Sequence, residues 1–179
     1  MTEVGVMTGE YTLEHMQLGK DSEPVQIATR ADNRMAATSL VRQGKRCLHI
    51  FSRDLDHTVY DTTAFITAVR GLATRSRYSR IRILVQNTEG IIKSGHRLVQ
   101  LAQQLSSTMQ MRKPGREHQA LNEDFLVVDK LGLLHRKTSE RYDGVVNFNA
   151  PLEAVAMVKI FDEMWDRSES DPELRRLYI

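Results

Sequence analysis

Asn122-Glu123-Asp124-Phe125-Leu126-Val127-Val128-Asp129 is the stretch whose reading decides the fold of this chain. The apolar run from Phe125 to Val128 reads as a strand, bracketed by polar residues. Lys130-Leu131-Gly132 follows it, and a second strand is predicted over 133–137, so the two form a hairpin-like pair. Asn122, Asp124 and Asp129 stand at the ends of the first strand. The side-chain amide of Asn122 is not nucleophilic and cannot be activated by deprotonation near neutral pH.

Working outward, the chain alternates strands and helices. A short strand is predicted over 25–28. Thr29 and Asp32 then cap a helix that turns Met35, Ala36, Leu40 and Val41 to one side and stops at Gly44. The next strand surrounds Leu48-His49-Ile50-Phe51. A polar loop over 52–61 leads to a second helix over 62–74, with Phe65, Val69 and Leu72 inward. A basic connection, 75–80, precedes the strand Ile81-Arg82-Ile83-Leu84-Val85. Ile91, Gly95, Leu98, Ala102 and Leu105 recur at helical spacing, which predicts one helix over 91–105. Met109-Gln110-Met111-Arg112 reads as a strand, Pro114-Gly115 as a turn, and 145–148 as a last strand. Asn149 then caps a closing helix with Pro151 in its first turn and Val155, Val158, Phe161 and Trp165 along its apolar stripe.

This order predicts an α/β fold with a mixed, largely parallel sheet, helices on both faces, and antiparallel strands added by the later hairpins. Residues 1–23 read as a flexible arm, 24–167 as one domain, and 168–179 as a tail whose Leu177-Tyr178-Ile179 docks back on the body.

Composition narrows the function. The chain has 179 residues, 41% hydrophobic and 27% charged, an ordinary globular balance. A net charge of +2 does not announce a nucleic-acid binder. The single cysteine, Cys47, excludes an internal disulfide and fits a reducing compartment; it reads as a buried thiol in a strand. No apolar run approaches the length of a membrane span, and residues 1–10 lack the features of a secretory signal. The expectation is a cytoplasmic protein with no membrane partner.

Three pieces resemble the phospholipase D superfamily. They are the helix-then-strand unit over 65–85, the run Phe125-Leu126-Val127-Val128-Asp129, and the ending Ile160-Phe161-Asp162-Glu163-Met164-Trp165. More narrowly, Gly95-His96-Arg97-Leu98-Val99-Gln100-Leu101 with Leu105-Ser106-Ser107 is similar to an uncharacterised bacterial branch. Its members are sometimes joined to an acetyltransferase domain, which is missing here. The family signature is H-x-K-x4-D, in which the histidine attacks phosphorus, the lysine holds the phosphate and the aspartate orients the imidazole. The resemblance aligns Asn122 with the histidine, Asp124 with the lysine and Asp129 with the aspartate. It therefore implies a degenerate site with no catalytic residue, a pseudoenzyme that uses no cofactor and no metal. A carboxylate at 124 replaces a phosphate-binding cation and would repel a phosphodiester. Asp129, left without an imidazole, is expected to serve the strand end. Single-repeat members pair across a two-fold axis, so a homodimer is implied, with Asp124 of two copies close to that axis.

Other residues are candidates for binding. On the predicted third helix, His96 shares a face with Lys93, Gln100 and Gln103, and with Arg97 this face could meet an anion. His118 and His135 flank the signature strand. Arg75, Arg77, Arg80 and Arg82, with Tyr78 between them, could track a nucleic-acid backbone, supplemented by Arg112, Lys113 and Arg116. Asp54, Asp56, His57 and Asp61 follow a strand and could hold a divalent cation, although a polar loop with Asp61 as a helix cap explains them better. Three functions compete: a binding module for an anionic ligand, nucleic acid or protein; a phosphodiesterase with a site relocated to His96 or His118; and a structural assembly module.

Overall fold

The computed structural model describes residues 13–175. Residues 1–12 and 176–179, and with them Leu177-Tyr178-Ile179, lie outside the described residues. Strands are β1 (Val25–Ile27), β2 (Cys47–Ser52), β3 (Arg80–Val85), β4 (Met109–Arg112), β5 (Asp124–Val128), β6 (Gly132–Arg136) and β7 (Gly144–Asn147). Helices are α1 (Arg30–Gln43), α2 (His57–Tyr60), α3 (Thr63–Thr74), α4 (Thr88–Lys93), α5 (Arg97–Gln104), α6 (Pro151–Asp166) and α7 (Pro172–Arg175).

The strands form one seven-stranded sheet in the order β1-β7-β6-β5-β2-β3-β4. Only β2, β3 and β4 run parallel to one another, and the other pairings are antiparallel. The mixed α/β class is the expected one, but its parallel part is small. The reason is that β1 does not join β2: it pairs with β7 at the far edge.

Alternation along the central strands sorts their side chains into two apolar layers. Leu48 and Ile50 of β2, Ile81 and Ile83 of β3, and Leu126 and Val128 of β5 pack under α1, α3 and α5. Phe51, Leu84, Phe125 and Val127 point the other way, onto Ala154, Val158, Phe161, Met164 and Trp165 of α6. Helices therefore cover both faces.

Local chemistry explains the element ends. Thr29 and Asp32 close a capping box on α1. The β5–β6 turn is made by Asp129 and Lys130, both left-handed (φ 53° and 55°), slightly earlier than Lys130-Leu131-Gly132. Asn149 does not cap α6. Ala150 holds that position without a side-chain bond, and the Asn147 side chain organises the approach by accepting the Asn149 N–H at 2.9 Å.

The helix expected over 91–105 is two helices. Gly95 reverses the chain at φ 68°, and His96 caps α5 by accepting the Leu98 N–H on Nδ1. The apolar spacing survives because both helices press onto the same core. The polar loop over 52–61 contains α2, capped by Asp56.

Residues 13–23, expected within an arm, lie against the body. Leu13 is fully buried, the Gly19 N–H bonds the Phe148 carbonyl, and the Gln43 side chain grips Leu18 and Met16. In the tail, Glu169 bridges to Lys113 and Leu174 is buried. Cys47 is half-buried at the start of β2, less covered than expected, and burial pushes its thiol pKa up.

Candidate functional site

The signature strand carries two different environments. Asp124 begins β5 with its side chain in the α1–α3 layer, where it is 2% exposed. Arg136, its register partner on β6, is 3% exposed and meets Asp124 Oδ2 at 2.9 Å. Ser52 donates to Oδ2 at 2.5 Å and Tyr60 donates to Oδ1 at 2.8 Å. Burial and the neighbouring Asp124 push the Tyr60 phenol well above its usual range, so it stays a donor. Tyr142 extends the network, its ring near the Arg136 guanidinium and its hydroxyl donating to Asp56 at 2.6 Å.

This corrects the expectation of a repelling charge. Asp124 is neutralised by Arg136 and shielded within the chain, so its charge does not face a ligand. A carboxylate is tolerated at this position because Arg136 stands opposite it.

Asp129 lies seven residues from Asn122, roughly 20 Å away along a strand. Its carboxylate accepts the N–H groups of Lys45, Arg46 and Cys47 at 2.6, 2.8 and 2.8 Å. It tethers the start of β2 and cannot orient any side chain at position 122.

Asn122 opens onto a cleft of about 400 Å³, lined also by Arg53, Gln86, Asn87, Lys113 and Gln119. The cleft lies beyond the carboxyl ends of β2, β3 and β4, the usual ligand position in open α/β sheets. Its wall is fastened by the Gln86 amide, which donates to the carbonyls of His118, Gln119 and Leu121 at 3.0, 3.3 and 2.8 Å. Asn122 is exposed, and its side-chain oxygen accepts from Ser139 at 2.6 Å. Arg53 pairs with Glu140 at 2.9 Å, an exposed contact that a stronger anion can displace. The Lys113 ammonium has no ion-pair partner among the described residues. Such a cleft can hold an anion by charge and amides, but it presents no imidazole to attack one.

The other candidates are dispersed. His96 is fully buried, not on a face with Lys93, Gln100 and Gln103. Its Nδ1 accepts the Leu98 N–H, so Nε2 carries the proton and donates to the Leu55 carbonyl at 3.0 Å. Arg97 is spent on Asp61 (2.7 Å) and Thr63 (3.2 Å), while Lys93 is exposed beside Glu89. Gln100 returns to the Gly95 carbonyl. His118 lies in a 3₁₀ turn, Arg116–His118, so β5 does not extend back to it. His135 is on the sheet face opposite Asp124, against Phe125, with Glu123 at 2.7 Å.

The basic stretch also divides. Arg77 stacks on Tyr78 and Arg80 bonds nearby carbonyls, whereas Arg82 turns under α6 to Asp162 and His49. Arg75, Arg77, Tyr78 and Arg80 remain outside the packed layers, at the end of the sheet opposite the cleft.

His57, Asp61 and His96 bring ligand-type atoms within 4.8 Å of one another. Both His96 nitrogens are already engaged and Arg97 holds Asp61, so the donor set does not suit a cation. Asp61 does not cap α3, where Thr62 does so; it ends α2. Asp56 bonds Thr58 and Tyr142, and the Asp54 carboxyl is pushed up by burial and by Asp124.

Sequence reasoning missed Arg136, Ser52, Tyr60 and Arg53. One signal was present: positions 124 and 136 are equidistant from a turn placed at 130, so a hairpin there pairs them.

A family model described as Domain of unknown function (DUF7931) matches residues 29–177. No curated protein matches the chain. Among solved structures, the chain is similar to Nuc from Salmonella typhimurium, a phospholipase D family member, with TM-score 0.59 and 12% identity over 83% of this chain and 99% of that one. NucT from Helicobacter pylori gives TM-score 0.59 and 9% identity over the same shares. TrmBL2, an archaeal chromatin protein described as showing a novel mode of DNA binding, gives TM-score 0.64 and 8% identity over 90% of this chain. The chain spans 58% of that protein's length. At these identities the likeness establishes the fold, which is phospholipase D-like.

Proposed function

The chain belongs to the family described as Domain of unknown function (DUF7931), and from that premise we propose that it is a phospholipase D-like module without phosphodiesterase activity that binds a phosphate-bearing polyanion, nucleic acid first among them. The observation that carries this reading is the pairing of a cationic, amide-lined cleft with Asn122 at its lip. The position that would need a nucleophile holds an amide, while Arg53 and Lys113 keep the cleft attractive to phosphate. The DNA binding described for the archaeal chromatin protein supports the choice of ligand class.

The test is fluorescence anisotropy with single- and double-stranded DNA across a salt series. Affinity should fall with salt, and Arg53→Ala with Lys113→Ala should weaken binding about 10-fold and lower the salt slope by roughly one to two. Salt-independent binding, or none, removes the reading. In parallel, bis(4-nitrophenyl) phosphate with and without divalent metals should show no turnover; turnover abolished by His118→Ala would restore the relocated hydrolase.

Pairing of two copies belongs to the same proposal. The outer face of α6 exposes Leu152 (83%), Val155 (39%) and Ile160 (47%), apolar surface that a second copy would cover. Light scattering that finds only the monomer mass removes this part. A cytoplasmic setting is proposed on the lone cysteine, and a bacterial one on the resemblance of the stretch over 95–107 to a bacterial branch. No helix among the described residues is long and apolar enough to cross a membrane.

A further inference from the structure

Away from the cleft, the loops after β2 and β3 bring together a hydroxyl, an imidazole and a carboxylate in line. His57 Nε2 lies 2.8 Å from Ser94 Oγ, and His57 Nδ1 lies 3.0 Å from Asp61 Oδ2. Nucleophile–base–orienter is the arrangement that activates a serine. We propose that Ser94, His57 and Asp61 form an acyl-accepting site that reacts with small activated esters.

The proton positions follow from the partners. Asp61 Oδ1 is held by Arg97 Nε at 2.7 Å, and the Arg97 guanidinium also donates to the Asp61 carbonyl. Burial would raise the Asp61 pKa, but the bonds from Arg97 and His57 outweigh it and hold the carboxyl below its usual range. An ionised carboxylate only accepts, so the proton of neutral His57 is on Nδ1. Nε2 then presents its lone pair to the Ser94 hydroxyl. The Ile91 carbonyl, 3.0 Å from Ser94 Oγ, competes for the same hydroxyl proton.

The backbone fixes the three groups. Asp61 and His57 sit at the two ends of α2, one turn apart. Ser94 ends α4 immediately before the left-handed Gly95 and is exposed. The ring of His96 lies against that of His57, with centroids 4.8 Å apart, and His96 is itself locked by two hydrogen bonds. Ser94 is exposed and the His57 side chain is 46% exposed, so a small ester reaches both.

The reaction balances without a co-reactant. The Ser94 oxygen bonds the acyl carbon as its proton passes to His57 Nε2. The acyl–oxygen bond of the ester breaks, and the leaving alkoxide or phenoxide takes the proton from His57. Water, deprotonated by the same imidazole, later releases the carboxylic acid and restores the serine.

The surrounding backbone limits the substrate. The N–H groups of Ser94, Gly95 and His96 already bond the carbonyls of Gly90, Ile92 and Ile91. None of these three is set aside for an oxyanion, so the leaving group must be a good one. Asp61 is a positioning residue that acts through His57.

The test uses 4-nitrophenyl acetate and a fluorophosphonate probe on the full chain, read by intact mass and peptide mapping. One adduct per chain is expected, on Ser94, with a burst of nitrophenol and slow turnover. Ser94→Ala should abolish the adduct with an unchanged melting curve. His57→Gln should slow labelling at least about 100-fold. Labelling of Ser94 no faster than of other surface serines overturns the proposal. If His57→Gln fails to fold, the pH profile of labelling decides: a rate that falls in acid as one imidazole protonates supports the base, and a rate that follows only solvent hydroxide overturns it.

Discussion

At the scale of the residue, Asp124 and His49 show how burial turns a charged or polar group into a structural constraint. Removing one member of the Asp124–Arg136 pair strands the other in a dry site. Asp124→Ala should therefore cost about 3–5 kcal/mol in urea unfolding. The pair Asp124→Leu with Arg136→Met should cost clearly less, because nothing is left uncompensated. Asn122→His should not create phosphodiesterase activity, since Asp124 remains locked and Asp129 is at the other end of β5. His49, 3% exposed, accepts from Arg82 on Nε2 at 2.8 Å, so its Nδ1–H is left without a partner. Burial first, and the Arg82 cation second, lower its pKa to about 4. The unfolded imidazole titrates near 6.5, so between those values only the unfolded chain takes up the proton. Stability should fall as pH drops from about 6.5 to about 4, by on the order of 3 kcal/mol, with no contribution from His49 above that window. Urea midpoints of His49→Gln should lose this extra slope while the carboxylates keep theirs.

At the scale of the element, the glycine at the break between α4 and α5 and the glycine inside α3 have opposite consequences. Gly95 is left-handed at φ 68°, and Gly71 lies inside α3 with open space where a methyl group would stand. Gly95→Ala should destabilise by about 1 kcal/mol, because a Cβ is strained in that conformation whatever the room. Gly71→Ala should stabilise by about 0.5–1 kcal/mol through helix propensity. Thermal melts of the two variants should move in opposite directions. The same break explains why the sequence misplaces His96. Its position within a continuous helical period puts it outside with Lys93, whereas as a cap it turns inward. The two strands around Asp129 were legible because the apolar runs and the turn residues agree. The α6 start was misjudged by one residue because Asn149 and Ala150 compete for the same place, and only the backbone path decides between them.

At the scale of the whole molecule, the sheet has a protected centre and light edges. β2, β3 and β5 are covered on both faces, while β1 is three residues long and has one neighbour. Native-state hydrogen exchange should place the amides of β2, β3 and β5 at the global unfolding free energy. Those of β1 and of α7 should exchange first through local opening. An equal protection of β1 and β2 would contradict this picture. The cleft and the Ser94 group both lie on the carboxyl side of β2 and β3, where loops are free to vary while the layers beneath them are fixed by packing.

The sequence by itself determined the alternation of strands and helices, the hairpin around Asp129, the unreactive amide at position 122 and the mixed α/β class. These are local matters of apolar spacing, turn chemistry and side-chain reactivity. The tertiary structure alone decided that β1 pairs with β7, that Asp124 is neutralised by Arg136, and that Arg53 and Lys113 flank Asn122. It also decided that Ser94 reaches His57, 37 positions away in the chain. Each of these depends on which segments sheet order and helix crossing bring together, and spacing along a chain carries no record of that.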